Sequence, residues 1–285
     1  MSDLITGNTE LGSTKESLIA SVVQKELAFQ AKLTPFFTDL SSLAMPGYNS
    51  ISVPKLSSFT VIDRAEGAYG DASQLTASVD TMLLDKNAYV SWIIDAMTAV
   101  QSNIPAQLEF AKRAAAAQAR YVDSAIISEL GSVAHAFINV GTDANVTYAN
   151  VLTMVRELEE NEANMADCVW LVSPAQKEAI FGLAEFKNFQ QFGQAILPGG
   201  VIGQILGIPV VMHSGLVSSQ VYLAEKSGLA FAFQKNASYG EQDEIGYGVG
   251  AKKAAIDQLF GVKGMQLGQK GAASGKSPLV IGLND

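Results

Sequence analysis

The sequence predicts an α+β protein, and three observations carry that reading. Residues 104–130 hold one long run of small and apolar residues at helical spacing. Residues 49–94 hold two strand-like stretches around a charged, glycine-punctuated tip. Residues 146–229 alternate helical and strand patterns, and further strands follow them.

Taken in order, residues 1–48 read as an N-terminal arm. Ile19, Val22, Val23 and Leu27 share a helical spacing, with Glu16, Gln24 and Lys25 on the wet side. Pro35 and Pro46-Gly47 punctuate the rest. A frayed terminus fits this stretch as well as a docked arm does. In residues 49–94, Ile51, Val53, Phe59 and Val61 alternate with smaller or polar residues, a strand signal. Asp63, Arg64, Glu66, Gly67, Gly70 and Asp71 form the tip, and Leu75 to Ile94 return. The expectation is one long hairpin. A two-stranded ribbon is marginal alone in water, so it needs a partner surface in its own chain or in a neighbour.

The helix over 104–130 places Leu108, Ala111, Ala115, Ala119, Val122, Ile126 and Leu130 on one stripe. Ser102 or Asn103 can cap it, Pro105 suits its first turn, and Gly131 is expected to end it. Within 146–229, Tyr148 to Glu162 predicts a helix with Val151, Leu152, Val155 and Leu158 inward. Cys168 to Val172 predicts a short buried strand. Ser173 then caps a helix that starts at Pro174 and runs through Leu183. The glycine-rich stretch 197–207 reads as a loop before the strand Ile208 to Met212. Tyr222 to Glu225 and Leu229 to Phe233 are further strands; Tyr247, Val249, Ala251, Ala255 and Ile256 fit an extended ladder. Val280-Ile281 adds a last strand.

Composition narrows the function. Hydrophobic residues make up 48% of the 285, enough for a sizeable core. Charged residues make up 16%, against a usual value of about 25%. A surface so poor in charge points to cover by repeated subunit contacts. The net charge is −9, and the densest basic spots are the pairs Lys112-Arg113 and Lys252-Lys253. Neutralising phosphates needs larger clusters, so direct nucleic-acid binding is not expected. The single cysteine forms no intrachain disulfide. The first residues lack a signal-peptide pattern, and no run of about 20 apolar residues exists to span a membrane.

Enzyme chemistry finds little support. His135 and His213 sit apart, each among apolar or small neighbours in sequence, and with one cysteine they do not make a zinc site. Cys168 reads as a small core hydrophobe. Gly271 to Ser277 is one residue short of a P-loop, and no apolar helix follows. The turn around Gly203 precedes a strand, the reverse of a dinucleotide-binding turn. The acidic run Glu157 to Glu162 fits a solvated helix face. No catalytic, cofactor or metal residues are assigned.

The order of elements carries a resemblance over nearly the whole chain. Its local carriers are Asn87 to Asp95 leading to Ala106 to Ala115, then Val169 to Pro174, then Gly203 to Val211. In that order they resemble the major capsid proteins of tailed bacteriophages, the Hong Kong ninety-seven fold. The resemblance implies an N-terminal arm over 1–48 and an extended loop over 49–94. It implies a peripheral domain with a spine helix over 95–140, an axial domain over 141–229, and peripheral strands with a C-terminal tail over 230–285. It implies a chain that is no enzyme and that assembles with itself into hexamers and pentamers of an icosahedral shell. That shell encloses double-stranded DNA without reading its sequence. The extended loop would lie over a neighbouring subunit, with Asp63, Arg64, Glu66 and Asp71 setting register at the contact. The short stretch before the hairpin leaves little room for a fused scaffolding segment. A separate scaffolding protein and a portal are therefore expected, with a decoration protein as a further partner. Lys55 and Lys86 lie near the hairpin base, which gives no warrant for a tip cross-link. The implied location is the virion, assembled in the host bacterial cytoplasm. Two alternatives stay open: an encapsulin-like nanocompartment shell, and a soluble α/β ligand-binding protein or enzyme.

Overall fold

A computed structural model describes residues 19–26, 31–56, 63, 66, 77–95, 106–139, 145–182, 201–265 and 277–284. The elements in chain order begin with helix α1 (19–26) and strands β1 (Thr38–Asp39), β2 (Ser50–Leu56), β3 (Ala77–Leu83) and β4 (Lys86–Ile94). Helix α2 (Ala106–Val133), β5 (Ala134–Asn139), helix α3 (Tyr148–Glu160), β6 (Cys168–Val172) and helix α4 (Pro174–Gly182) follow. The chain closes with β7 (Val201–Ile205), β8 (Ile208–Met212), β9 (Val221–Glu225), β10 (Leu229–Asp243), β11 (Lys252–Gly264) and β12 (Ser277–Asn284). They form a four-stranded sheet β1-β10-β11-β4, a six-stranded sheet β5-β12-β9-β6-β8-β7, and the ribbon β2-β3.

Helix α2 joins the two sheets. Its 28 residues span about 42 Å. The N-terminal half carries alanine: Ala111, Ala114 and Ala115 are buried against Ala237, Tyr239, Ala254 and Ile256 of the four-stranded sheet. Alanine lets the rod lie close to the strands. Gln118, 1% exposed, donates to the carbonyls of Ala88 (2.9 Å) and Ile256 (3.2 Å), tying helix to sheet. The C-terminal half carries Val122, Ile126, Leu130 and Val133 into a core shared with both sheets. Gly131 does not end the helix, contrary to expectation. A Cβ there would stand 3.3 Å from the Tyr222 hydroxyl oxygen, so this glycine lets the last turn lie on β9.

The six-stranded sheet is built on β6, all five residues of which are buried. Alternation sends Val169 and Leu171 to the core beneath α2, and Cys168, Trp170 and Val172 to the core beneath α3. Burial on both faces is why the strand reads as an unbroken apolar run. Thr147 caps α3 by accepting from the Asn150 N–H, and Ser173 Oγ accepts from the Gln176 N–H at the start of α4. The expected loop at 197–207 is partly a strand: β7 and β8 form a hairpin through Leu206 and Gly207, both at positive φ.

The arm is docked where it is described. Ile19 and Val23 of α1 pack into the alanine-lined cluster, and Gln24 donates to the Ala237 carbonyl. Leu33 and Phe37 enter the central core, and β1 pairs in parallel with β10.

The predicted ribbon over 49–94 needs correction. Pairing of β2 with β3 ends at Ser50↔Leu83. After Leu84 and Asp85 the chain turns away, and β4 pairs with β11 instead. Alternation marks a half-buried strand without naming its partner. The boundary at 230 is also crossed, since β12 lies between β5 and β9 in the six-stranded sheet. So is the boundary at 140, since β5 joins the same sheet.

Candidate assembly interface

Among the described residues, the ribbon rests on its own chain at its base. Ile51, Met82 and Leu84 are buried with Ala230, Ala232 and Met265. Lys263 Nζ stands 3.2 Å from Asp80 Oδ1 and donates to the Thr81 carbonyl at 2.7 Å. Gly261 of β11 passes beneath: a Cβ there would lie 2.2 Å from the Leu83 carbonyl oxygen. On the other face Val79 and Leu83 are 62% and 55% exposed. Asp63 and Glu66 are exposed, while Arg64 and Asp71 lie outside the described residues.

A second projection was not foreseen. Tyr247 and Val249, expected in a strand, occupy the turn between β10 and β11. Glycines alternate there at 246, 248 and 250, two of them at positive φ, which bends the chain. The turn is closed by N–H donors from Tyr247 to the Glu244 carbonyl (3.2 Å), from Gly248 to that of Ile245 (3.1 Å), and from Ala251 to that of Gly248 (3.1 Å). It presents Ile245, Tyr247 and Val249 at 80%, 56% and 92% exposure. The glycine spacing was the available signal.

The candidate chemical groups are accounted for otherwise. Cys168 is buried, and burial pushes its thiol up to about 12, with the Glu225 and Asp167 carboxylates adding to the effect. Burial also raises the Glu225 carboxyl. His213 does have an acidic partner, which corrects the reading from neighbours in sequence: its Nε2 stands 3.1 Å from Oδ2 of Asp123. The two residues are 90 positions apart, beyond the reach of local spacing. The His135 side chain lies outside what is described. Among the described residues no group of three or more His, Cys, Asp or Glu could hold a metal ion, and no helix is long and apolar enough to cross a membrane. The acidic face of α3 is solvated, with Arg156 bridging Glu157 and Glu160 at 3.4 Å each. An open groove of about 690 Å³ is lined chiefly by Pro35, Phe37, Phe231 and Phe233, with Asp39 and Lys226 at hand.

No protein-family model matches the chain, and no curated protein matches it. Solved structures do. A structure of Mycobacterium phage Che8 superposes with a TM-score of 0.69 at 18% identity, covering 88% of this chain and 90% of that one. The capsid asymmetric unit of cyanophage Pam1 superposes with a TM-score of 0.67 at 11% identity, covering 90% and 92%. A virus-like particle from Pyrococcus furiosus gives 0.61 at 8% identity, covering 95% and 99%. At such identities the likeness speaks for the fold alone. The chain has the Hong Kong ninety-seven-like capsid fold that its order of elements resembles.

Proposed function

We propose that this chain is the major capsid protein of a tailed bacteriophage, a subunit that assembles with itself into an icosahedral head around double-stranded DNA. The observation that carries the reading is the match to phage structures over about nine-tenths of both chains. In this reading the four-stranded sheet and α2 form the peripheral domain, with α2 as spine helix. The six-stranded sheet with α3 and α4 forms the axial domain, and the ribbon is the extended loop. The ribbon's exposed face, with Asp63 and Glu66 beyond it, rests on a neighbouring copy; Arg64 and Asp71 share in that contact. Passed from copy to copy, a contact between unlike surfaces closes into rings and lattices. The role is structural, without catalysis. A separate scaffolding protein, a portal and a decoration protein are the proposed partners, and the virion, built in the host cytoplasm, is the proposed location. With a net charge of −9, the wall holds its DNA by enclosure.

An encapsulin-like shell is the second reading, favoured by the coverage of the Pyrococcus furiosus particle. The Che8 and Pam1 structures superpose with higher scores, 0.69 and 0.67 against 0.61, while other phage capsids score 0.61 as well. The contents of particles purified from phage-producing cells decide between them. Nuclease-protected double-stranded DNA is the expected result. Particles filled with one folded protein and free of DNA contradict the phage reading.

A further inference from the structure

One turn of α2 is held by both the arm and the six-stranded sheet. Asp123 is 1% exposed. Its Oδ1 accepts from the Leu33 N–H at 3.2 Å, and its Oδ2 accepts from the Lys32 N–H at 3.2 Å. His213 Nδ1 accepts from the Gly215 N–H at 3.0 Å, so the ring proton sits on Nε2 and is donated to Asp123 at 3.1 Å. The arm continues from Leu33 through β1 onto the four-stranded sheet. His213 directly follows β8, and its own N–H donates to the Val172 carbonyl of β6 at 3.1 Å. The loop lies flat on the helix: a Cβ at Gly215 would stand 3.0 Å from the His213 ring and 3.2 Å from Ile127. Leu33 and Leu216 enter the same apolar cluster.

We propose that Asp123 and His213 form a clasp that couples the seating of the arm to the docking of the six-stranded sheet on α2. A carboxylate this deeply buried depends on its full set of donors. Lifting the arm removes two N–H donors and admits water, which weakens the hold on His213. Withdrawing His213 leaves the carboxylate short of a donor and opens the pocket that the arm covers. Each side therefore stabilises the other, although the arm and the loop make no described hydrogen bond to one another.

The test uses the full-length chain, with trypsin cleavage after the exposed Lys32 as the arm readout. Hydrogen exchange over 208–216 is the loop readout. Asp123→Asn is expected to speed cleavage about tenfold and to speed exchange in the loop as well. His213→Ala, which removes no described hydrogen bond to the arm, is expected to speed cleavage at Lys32 severalfold. His213→Gln, which restores a donor, returns most of the protection. The His213 pair carries the test even if Asp123→Asn fails to fold. Cleavage at Lys32 in His213→Ala equal to wild type, with faster exchange in the loop, overturns the coupling. Wild-type values for both readouts in Asp123→Asn overturn the clasp altogether.

Discussion

Cys168 sits at the first position of β6 with its thiol raised to about 12, and Trp170 is packed two residues on in the same cluster. The thiolate is the reactive form, so the native chain should resist a thiol reagent at pH 8 and titrate one thiol only after denaturation. Asp257 behaves oppositely. Partial burial pushes its carboxyl up, but donors from Lys235 and Ser238 outweigh it and hold the group below its ordinary 3.8. These donors close over the irregularity in β10 where the register shifts twice. A carboxyl lowered in the fold stabilises above its ordinary value, and that contribution fades as pH falls through the folded value. The thermal midpoint of Asp257→Asn should therefore lie below wild type by a constant amount from pH 7 to about 5. The gap should narrow on further acidification.

Among the elements, β11 ties the four-stranded sheet to the ribbon and to the long helix. It pairs with β10 and β4, carries the base of the ribbon at Gly261, and meets the end of α2 at Gly264, where a Cβ would come within 2.4 Å of Val133. Gly261→Ala should cost about 1–3 kcal/mol, measured by chemical denaturation, because the Leu83 carbonyl must move. Gly240→Ala, with nothing within 4 Å, should change stability by less than about 0.5 kcal/mol. What the sequence shows of the elements follows the same logic. β6, α3 and the start of α4 are legible because local burial and capping decide them. The end of α2 and the partner of β4 are not. Gly131 is there for the Tyr222 hydroxyl, and β4 pairs with a strand some 160 residues on.

For the whole molecule, the order of elements revealed the fold and the assignment of strands to sheets stayed hidden. β5 and β12 close the six-stranded sheet from distant parts of the chain, and no local pattern announces it. The pairing of β2 with β3 was legible as a hairpin, but its extent was not; the apolar turn at 245–249 was read as strand. The clasp between Asp123 and His213 left no trace in spacing at all. In the proposed capsid reading, exposed faces of this fold, above all Val79 and Leu83 on the ribbon, are completed by further copies of the chain. The decisive experiment is electron microscopy of the purified chain, alone and with its candidate scaffolding protein. Closed shells or rings far larger than a 30.1 kDa subunit are expected. A strictly monomeric species under both conditions would contradict that reading.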